Sequence, residues 1–278
     1  MKRVLDDCQR IERSLYTEYR ETIWTPFMRA IRRYELIRAG DRIGVCVSGG
    51  KDSMLMAKLF QMLLGHTEVP FEARFLVMDP GYSPENRRRI EENAARLRIP
   101  VTFFETNVFE IANSQPRNPC FVCARMRRGH LYSEAQRLGC NKIALGHHFN
   151  DVVETPLISM FYGAQLQAML PKLKADNFPG MELIRPLYMV REEDIIAWKD
   201  AHGLEFLQCA CRFTEESAHR EGGSKRKEIK ELLHRLRETE PDIEMNVFNS
   251  IHRVQLDTMP GWKTGGREHS FLEKFKND

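Results

Sequence analysis

From residue 42 onward, short apolar runs rich in β-formers alternate with stretches of helical periodicity, and this alternation restricts the fold more than any other feature of the chain. IGVCVS reads as a strand and SMLMAKLFQMLLG as a helix stopping at Gly65. FEARFLVMD, PENRRRIEENAARLRI and PVTFFET follow as strand, helix opened by Pro84, and strand. A helix over 125–138, the short strand KIALGHH, the helix DVVETPLISMFYG, and a β-α-β run through ELIRPL, EEDIIAWKDAHG and EFLQC continue the pattern. Strands alternating with helices of about ten to fifteen residues predict an α/β fold, a parallel sheet with helices on both faces. Ligands in such folds bind beyond the carboxyl ends of the strands. Residues 9–38 predict two short basic helices, broken or kinked at Pro26. The stretch 164–181 reads as a loop, and the tail beyond Pro260 as weakly ordered. The expected organisation is an N-terminal helical segment (1–39), a catalytic domain (40–214), and a C-terminal basic helix and tail (215–278).

With 42% apolar and 29% charged residues over 278 positions, the chain cannot be disordered, collagenous or coiled coil as a whole. It contains no run of about 18 apolar residues that would span a membrane. Its N-terminus carries acids and arginines where a signal peptide needs an apolar core. The expectation is a cytoplasmic protein without a membrane partner. A formal charge of only +3 means that any nucleic-acid contact must come from local patches. Three patches exist: residues 1–39 (nine Lys/Arg, six acids), 116–137 (five Arg, one acid) and 222–237 (six Lys/Arg, two acids). Each also reads as an ordinary solvated helix face.

Between the first strand and its helix lies Val47-Ser48-Gly49-Gly50-Lys51-Asp52-Ser53. Small residues let backbone N–H groups approach phosphate oxygens, the helix N-terminus adds positive potential, and Lys51 with the Ser48 and Ser53 hydroxyls can donate. The turn is not an ordinary P-loop, because Val45 stands where that motif needs glycine and Asp52 where it needs Ser or Thr. An acid inside a phosphate cradle suggests Mg²⁺ to offset repulsion.

Seven cysteines without a signal peptide, four of them as Cys120-x-x-Cys123 and Cys209-x-Cys211, favour metal or sulfur chemistry over a disulfide framework. Spacing alone leaves three readings open: an iron–sulfur cluster with one open iron, a tetrahedral zinc site of all four, and a redox dithiol. Cys46, within a strand pattern, reads as a buried small hydrophobe.

The turn resembles the S-G-G-x-D-S signature of the PP-loop ATP pyrophosphatase superfamily. Taken with Leu145-Gly146-His147-His148-Phe149-Asn150-Asp151-Val152-Val153-Glu154-Thr155, Met160-Phe161-Tyr162-Gly163, Pro171-Lys172-Leu173, Cys120-x-x-Cys123-x-x-x-Arg127-Arg128-Gly129 and Arg185-Pro186-Leu187, it resembles the tRNA 2-thiocytidine synthetase family over roughly residues 20–240. The resemblance implies an ATP-dependent tRNA sulfurtransferase that adenylylates C2 of a pyrimidine, cytidine 32 of the anticodon loop, and replaces its oxygen with sulfur. It implies ATP, Mg²⁺ and a [4Fe–4S] cluster as cofactors, with tRNA and a sulfur donor such as a cysteine desulfurase as partners. Carried over residue by residue, it puts Cys120 and Cys123 on the cluster with Cys211 as third ligand and Cys209 as the alternative, since the family spaces that pair by two residues rather than one. Ser48, Gly49, Gly50, Lys51, Asp52, Ser53, Gly146, His147 and Asp151 fall at the ATP, and Asp52 joins the cysteines in catalysis. Asp79, at a strand's carboxyl end, is a further expected nucleotide contact. Arg125, Arg127 and Arg128 are expected on RNA phosphates. Asn150 departs from the family, which more often has aspartate there. A 2-thiouridine synthetase and an ATP-binding RNA adaptor with structural zinc are the alternatives; a homodimer is left open.

Overall fold

In the computed structural model, residues 4–113, 119–207 and 225–276 are described, with the side chains at 112, 113, 119–121 and 124 outside that set. The apolar runs form β1 (Arg42–Val47), β2 (Glu72–Asp79), β3 (Val101–Glu105), β4 (Lys142–Ala144), β5 (Lys172–Lys174) and β6 (Glu182–Ile184). They make one sheet in the order β3-β2-β1-β4-β6-β5, parallel throughout except for the antiparallel edge strand β5. Five of the six residues of β1 are buried, as a strand covered on both faces requires.

The helical stretches form α1 (Asp7–Tyr16), α2 (Thr25–Arg33), α3 (Lys51–Leu64), α4 (Pro84–Arg96), α5 (Val108–Asn113), α6 (Pro119–Arg137), α7 (Phe149–Gly163) and α8 (Glu192–Ala201). Beyond them lie α9 (Lys225–Thr239), α10 (Ile243–His252) and the strands β7 (Gly261–Thr264) and β8 (Arg267–Ser270). Among the described residues no helix is long and apolar enough to cross a membrane. Connections from β1 lead one way through α3 to β2, and the crossover through α6 returns to β4 on the other side of β1. Right-handed crossovers in opposite directions put α3 and α6 on opposite faces. The α6 face buries Cys46, Leu76, Tyr132, Ala135, Cys140, Ile143, Met181 and Leu183 together.

Four expectations are corrected. The helix expected from 125 starts at Pro119, so the C-x-x-C lies inside α6 rather than ahead of it. The expected loop 164–181 contains β5, because Leu173 registers against Leu183 and packs on the same buried cluster. Residues 205–207 of the expected strand EFLQC are not a strand; Leu207 N donates to Gly49 O (3.0 Å) instead of to a neighbouring strand, and the rest of that run lies outside the described residues. The tail beyond Pro260 holds the β7–β8 hairpin, turned by Gly265-Gly266 and faced by Trp262 stacked on His269 at 5.3 Å.

The chain divides into two compact units, residues 1–152 with 169–223 and residues 153–168 with 224–278. In the first, α1 and α2 pack with the sheet's own helices: Phe27 meets Phe60 edge-on at 6.0 Å, and the wholly buried Lys58 reaches Glu12 (2.6 Å), Gln61 (2.7 Å), Leu97 O (2.9 Å) and Cys8 Sγ (3.3 Å). Four acceptors around one ammonium pin α1 to α3. Lys58→Met strands those acceptors, and urea denaturation is expected to show a loss of about 3 kcal/mol. In the second unit the buried Glu154 of α7 pairs with Arg226 (2.8 Å) and Lys230 (4.0 Å) of α9.

Candidate active site

Strand order reverses between β1 and β4, which opens a crevice at their carboxyl ends. Into it project the turn 48–53 from β1 and the run 145–151 from β4. Gly49 adopts φ +84°, and a Cβ there would lie 2.6 Å from Ile90 Cγ1, so no other residue fits the turn. Ser53 Oγ donates to Gly50 O (2.9 Å) and accepts from Ser48 N (3.0 Å), with Ser48 Oγ 3.1 Å away. Both hydroxyls therefore staple the loop as it stands. Gly50 caps α3 without a side chain, leaving first-turn N–H groups of a 14-residue helix with no capping side chain. Gly146 closes the crevice: a Cβ on it would sit 3.1 Å from Ser53 N, so only a bare backbone lets the β4 end approach the loop this closely.

Lys51 Nζ sits between Glu192 Oε1 (2.9 Å) and Asp52 (3.1 Å to Oδ1). Burial opposes the charged ammonium, but Asp52 and Glu192 outweigh it and hold its pKa above the ordinary value. Because the folded value exceeds the unfolded one, this pair's contribution to stability is complete below pH 10.5 and is lost as pH rises through the folded pKa. Asp52 Oδ1 is buried and, although the Lys51 ammonium lies 3.1 Å away, no donor meets it in hydrogen-bonding geometry. His148, only 5% exposed, stands among the acids: its Nε2 is 3.6 Å from Asp151, 3.8 Å from Glu192 and 3.9 Å from Asp52, and its backbone N–H donates to Asp151 Oδ2 at 3.1 Å. Asn150 Oδ1 accepts the N–H of Glu192 at 3.0 Å, so the amide at this position anchors the start of α8.

Sequence reasoning missed Glu192. It lies 141 positions from Lys51, and no local motif connects them. Glu192→Gln keeps the shape but removes the charge that orients Lys51, and kcat/KM for ATP is expected to fall about 10- to 100-fold.

Beside the loop is a cavity of about 360 Å³ lined by Ser48, Gly50, Asp52, Ser53, Gly146 and His147 on one side and by Arg127, Arg128 and Leu131 of α6 on the other. Arg185 is buried nearby; burial first, then the charge of Arg128, lowers its pKa to about 10, so it remains a cation at neutral pH. Cys46 also lines the cavity, but burial and then Cys140 push its thiol up to about 12, which makes it a poor nucleophile. Asp79 accepts from Gly81 N (2.9 Å) and Tyr82 N (2.8 Å) and pairs with Arg87 (2.9 Å). Arg125 is exposed on α6 and does not line the cavity. Half-buried Cys123 is one turn before Arg127 and shares its helical face. Cys120 precedes it by three positions in the same helix; its side chain, like Cys209 and Cys211, lies outside the described residues. Among the described residues no three His, Cys, Asp or Glu side chains converge on a metal position.

A small-residue turn between strand and helix, at the switch point of a parallel sheet, with a lysine and an acid opening the helix, defines a PP-loop ATP-binding domain, and residues 21–214 match the PP-loop domain family. The chain is 36% identical over 249 residues to the tRNA-cytidine(32) 2-sulfurtransferase of Geotalea uraniireducens, spanning 88% of this chain and 94% of that one. It is 36% identical over 230 residues to the enzyme of the same name from Syntrophotalea carbinolica, spanning 82% and 86%. The protein belongs to this family of PP-loop tRNA sulfurtransferases. Its fold is similar to that of the U34-tRNA thiolase NcsA from Methanococcus maripaludis, solved with its [4Fe-4S] cluster, at TM-score 0.65 and 18% identity over 91% of this chain and 87% of that one.

Proposed function

We infer that the protein converts cytidine 32 of tRNA to 2-thiocytidine in the cytoplasm, using ATP with Mg²⁺. The C2 oxygen of cytosine is a poor leaving group. Attack of that oxygen on the α-phosphorus of ATP expels pyrophosphate and leaves AMP esterified to C2; sulfide then bonds to C2 as the C–O bond breaks and AMP departs. The α3 N-terminus and Lys51 neutralise the departing pyrophosphate, worth most in a cleft that excludes water. Asp52, a carboxylate at the loop beside the cavity, would hold a Mg²⁺ that offsets phosphate charge. Arg127 and Arg128 bind phosphates flanking a base flipped into the cavity, and Arg125 extends that contact along α6.

Two cysteines three positions apart on one helix fit a shared iron centre, so Cys120 and Cys123, with Cys211 or else Cys209, would hold a [4Fe–4S] cluster. Such a cluster would supply an iron able to bind sulfide, which a donor such as a cysteine desulfurase would replenish when a thiol reductant supplies the two electrons that release its persulfide sulfur as sulfide.

The carrying observation is the Lys51–Asp52–Glu192–His148 cluster opening on a cavity whose far wall is arginine. Nucleoside mass spectrometry of tRNA from cells with and without the gene tests the reading. Loss of 2-thiocytidine alone is expected. Loss of a thiouridine instead would move the target, and an unchanged profile would refute the sulfurtransferase reading.

A further inference from the structure

Helix α2 carries Arg29, Arg32 and Arg33 at positions i, i+3 and i+4, so three exposed guanidinium groups share one face. Exposed Arg20, on the π-helical turn Arg20–Trp24 just before α2, joins them around a groove of about 470 Å³ that Trp24, Thr25 and Met28 complete. The π turn has a local cause: Pro26 has no N–H to return to Thr22, and Thr25 N–H bonds back five residues to Arg20 O. Like charges at these spacings repel. Among the described residues Arg29, Arg32 and Arg33 enter no ion pair, whereas Arg10, Arg38, Arg96, Arg98 and Arg137 each face a carboxylate within 3.4 Å; Arg20 has Glu21 at 4.0 Å.

The groove is also mounted on the active site's own support. Tyr19 OH donates to Ala197 O (3.1 Å) on α8, whose first residue Glu192 holds Lys51. Trp24 is fixed edge-on against Tyr16 at 4.6 Å and tilted on Phe27 at 5.9 Å, so the wall of the groove is rigid.

The geometry points to this groove as a second anchor for the substrate RNA, taking two or three successive backbone phosphates of a tRNA whose reactive base occupies the cavity. This rests on the tRNA reading above. Planar guanidinium forks match phosphate oxygens bidentately, and a second, rigidly connected backbone contact sets the register of a large folded substrate without reading its sequence.

The test is the affinity of the full chain for unmodified tRNA, by fluorescence anisotropy across a salt series, for the wild type and for R29Q/R32Q/R33Q. Glutamine keeps helix propensity while removing charge. The variant is expected to bind about 10- to 100-fold more weakly, with the log–log salt slope shallower by about two, while ATP affinity and the circular dichroism spectrum stay unchanged. A natively folded variant with wild-type affinity and slope overturns the proposal. So does loss of binding to phosphatidylserine vesicles with tRNA binding intact, which would assign the face to a membrane. A wild-type chain that binds ATP but no tRNA refutes the sulfurtransferase reading itself, and is recognised without any mutation. If R29Q/R32Q/R33Q misfolds, R29E/R32E is measured against the same criteria.

Discussion

Asp52→Ala is expected to lower ATP-dependent thiolation by about a thousandfold or more while leaving iron content and fold intact. Asp52 is the second residue of α3, beside Lys51 and 3.9 Å from His148 Nε2, and its buried Oδ1 accepts no hydrogen bond. On the function proposed above its charge serves the bound nucleotide, where a loss is felt in the transition state. Asp52→Asn separates charge from shape and is expected to be nearly as damaging. A single-turnover assay with [α-³²P]ATP and unmodified tRNA reads AMP formation directly. Activity within a few-fold of wild type would remove this carboxylate from the mechanism.

Cys123→Ala is expected to abolish sulfur transfer and to reduce iron from about four atoms per chain to near none, with ATP binding unchanged. Cys120→Ala is expected to behave alike. Cys123 lies one turn before Arg127 on α6, Cys120 precedes it by three positions, and Arg127 lines the cavity that Asp52 closes from the other side. Iron and acid-labile sulfide analysis of anaerobically purified chain decides the matter. Unchanged iron in either variant would sink the cluster assignment, and stoichiometric zinc in the wild type would replace it with a structural site.

The two variants are informative together because they divide the reaction. The Asp52 change is expected to block activation of the base with its sulfur source intact, and the cysteine changes to block sulfur delivery while pyrophosphate release from ATP and tRNA continues. Read as AMP formation, a double variant is expected to be no worse than Asp52→Ala alone, because the cysteine change acts only after that step.

Periodicity and spacing in the chain were enough to determine the α/β class and the turn Ser48–Ser53 at the first strand's end, and the resemblance carried by the run 145–155 anticipated the return of Gly146–Asp151 to the same crevice. These are local signals: a strand or helix announces itself within ten residues, and a glycine that must hold φ +84° is visible as Gly49 in the string. Tertiary structure alone decided the rest. It selected His148, not His147, to stand among three carboxylates, because a one-residue change in a strand-end turn redirects a side chain by most of a right angle or more. It brought Glu192 to Lys51 across 141 residues, engaged Asp79 with Arg87, and ordered β5 and the β7–β8 hairpin in stretches whose composition reads as loop. Each of these rests on contacts between segments far apart in the chain, whose free energy exists only once the sheet has closed, and composition or local spacing carries no record of it.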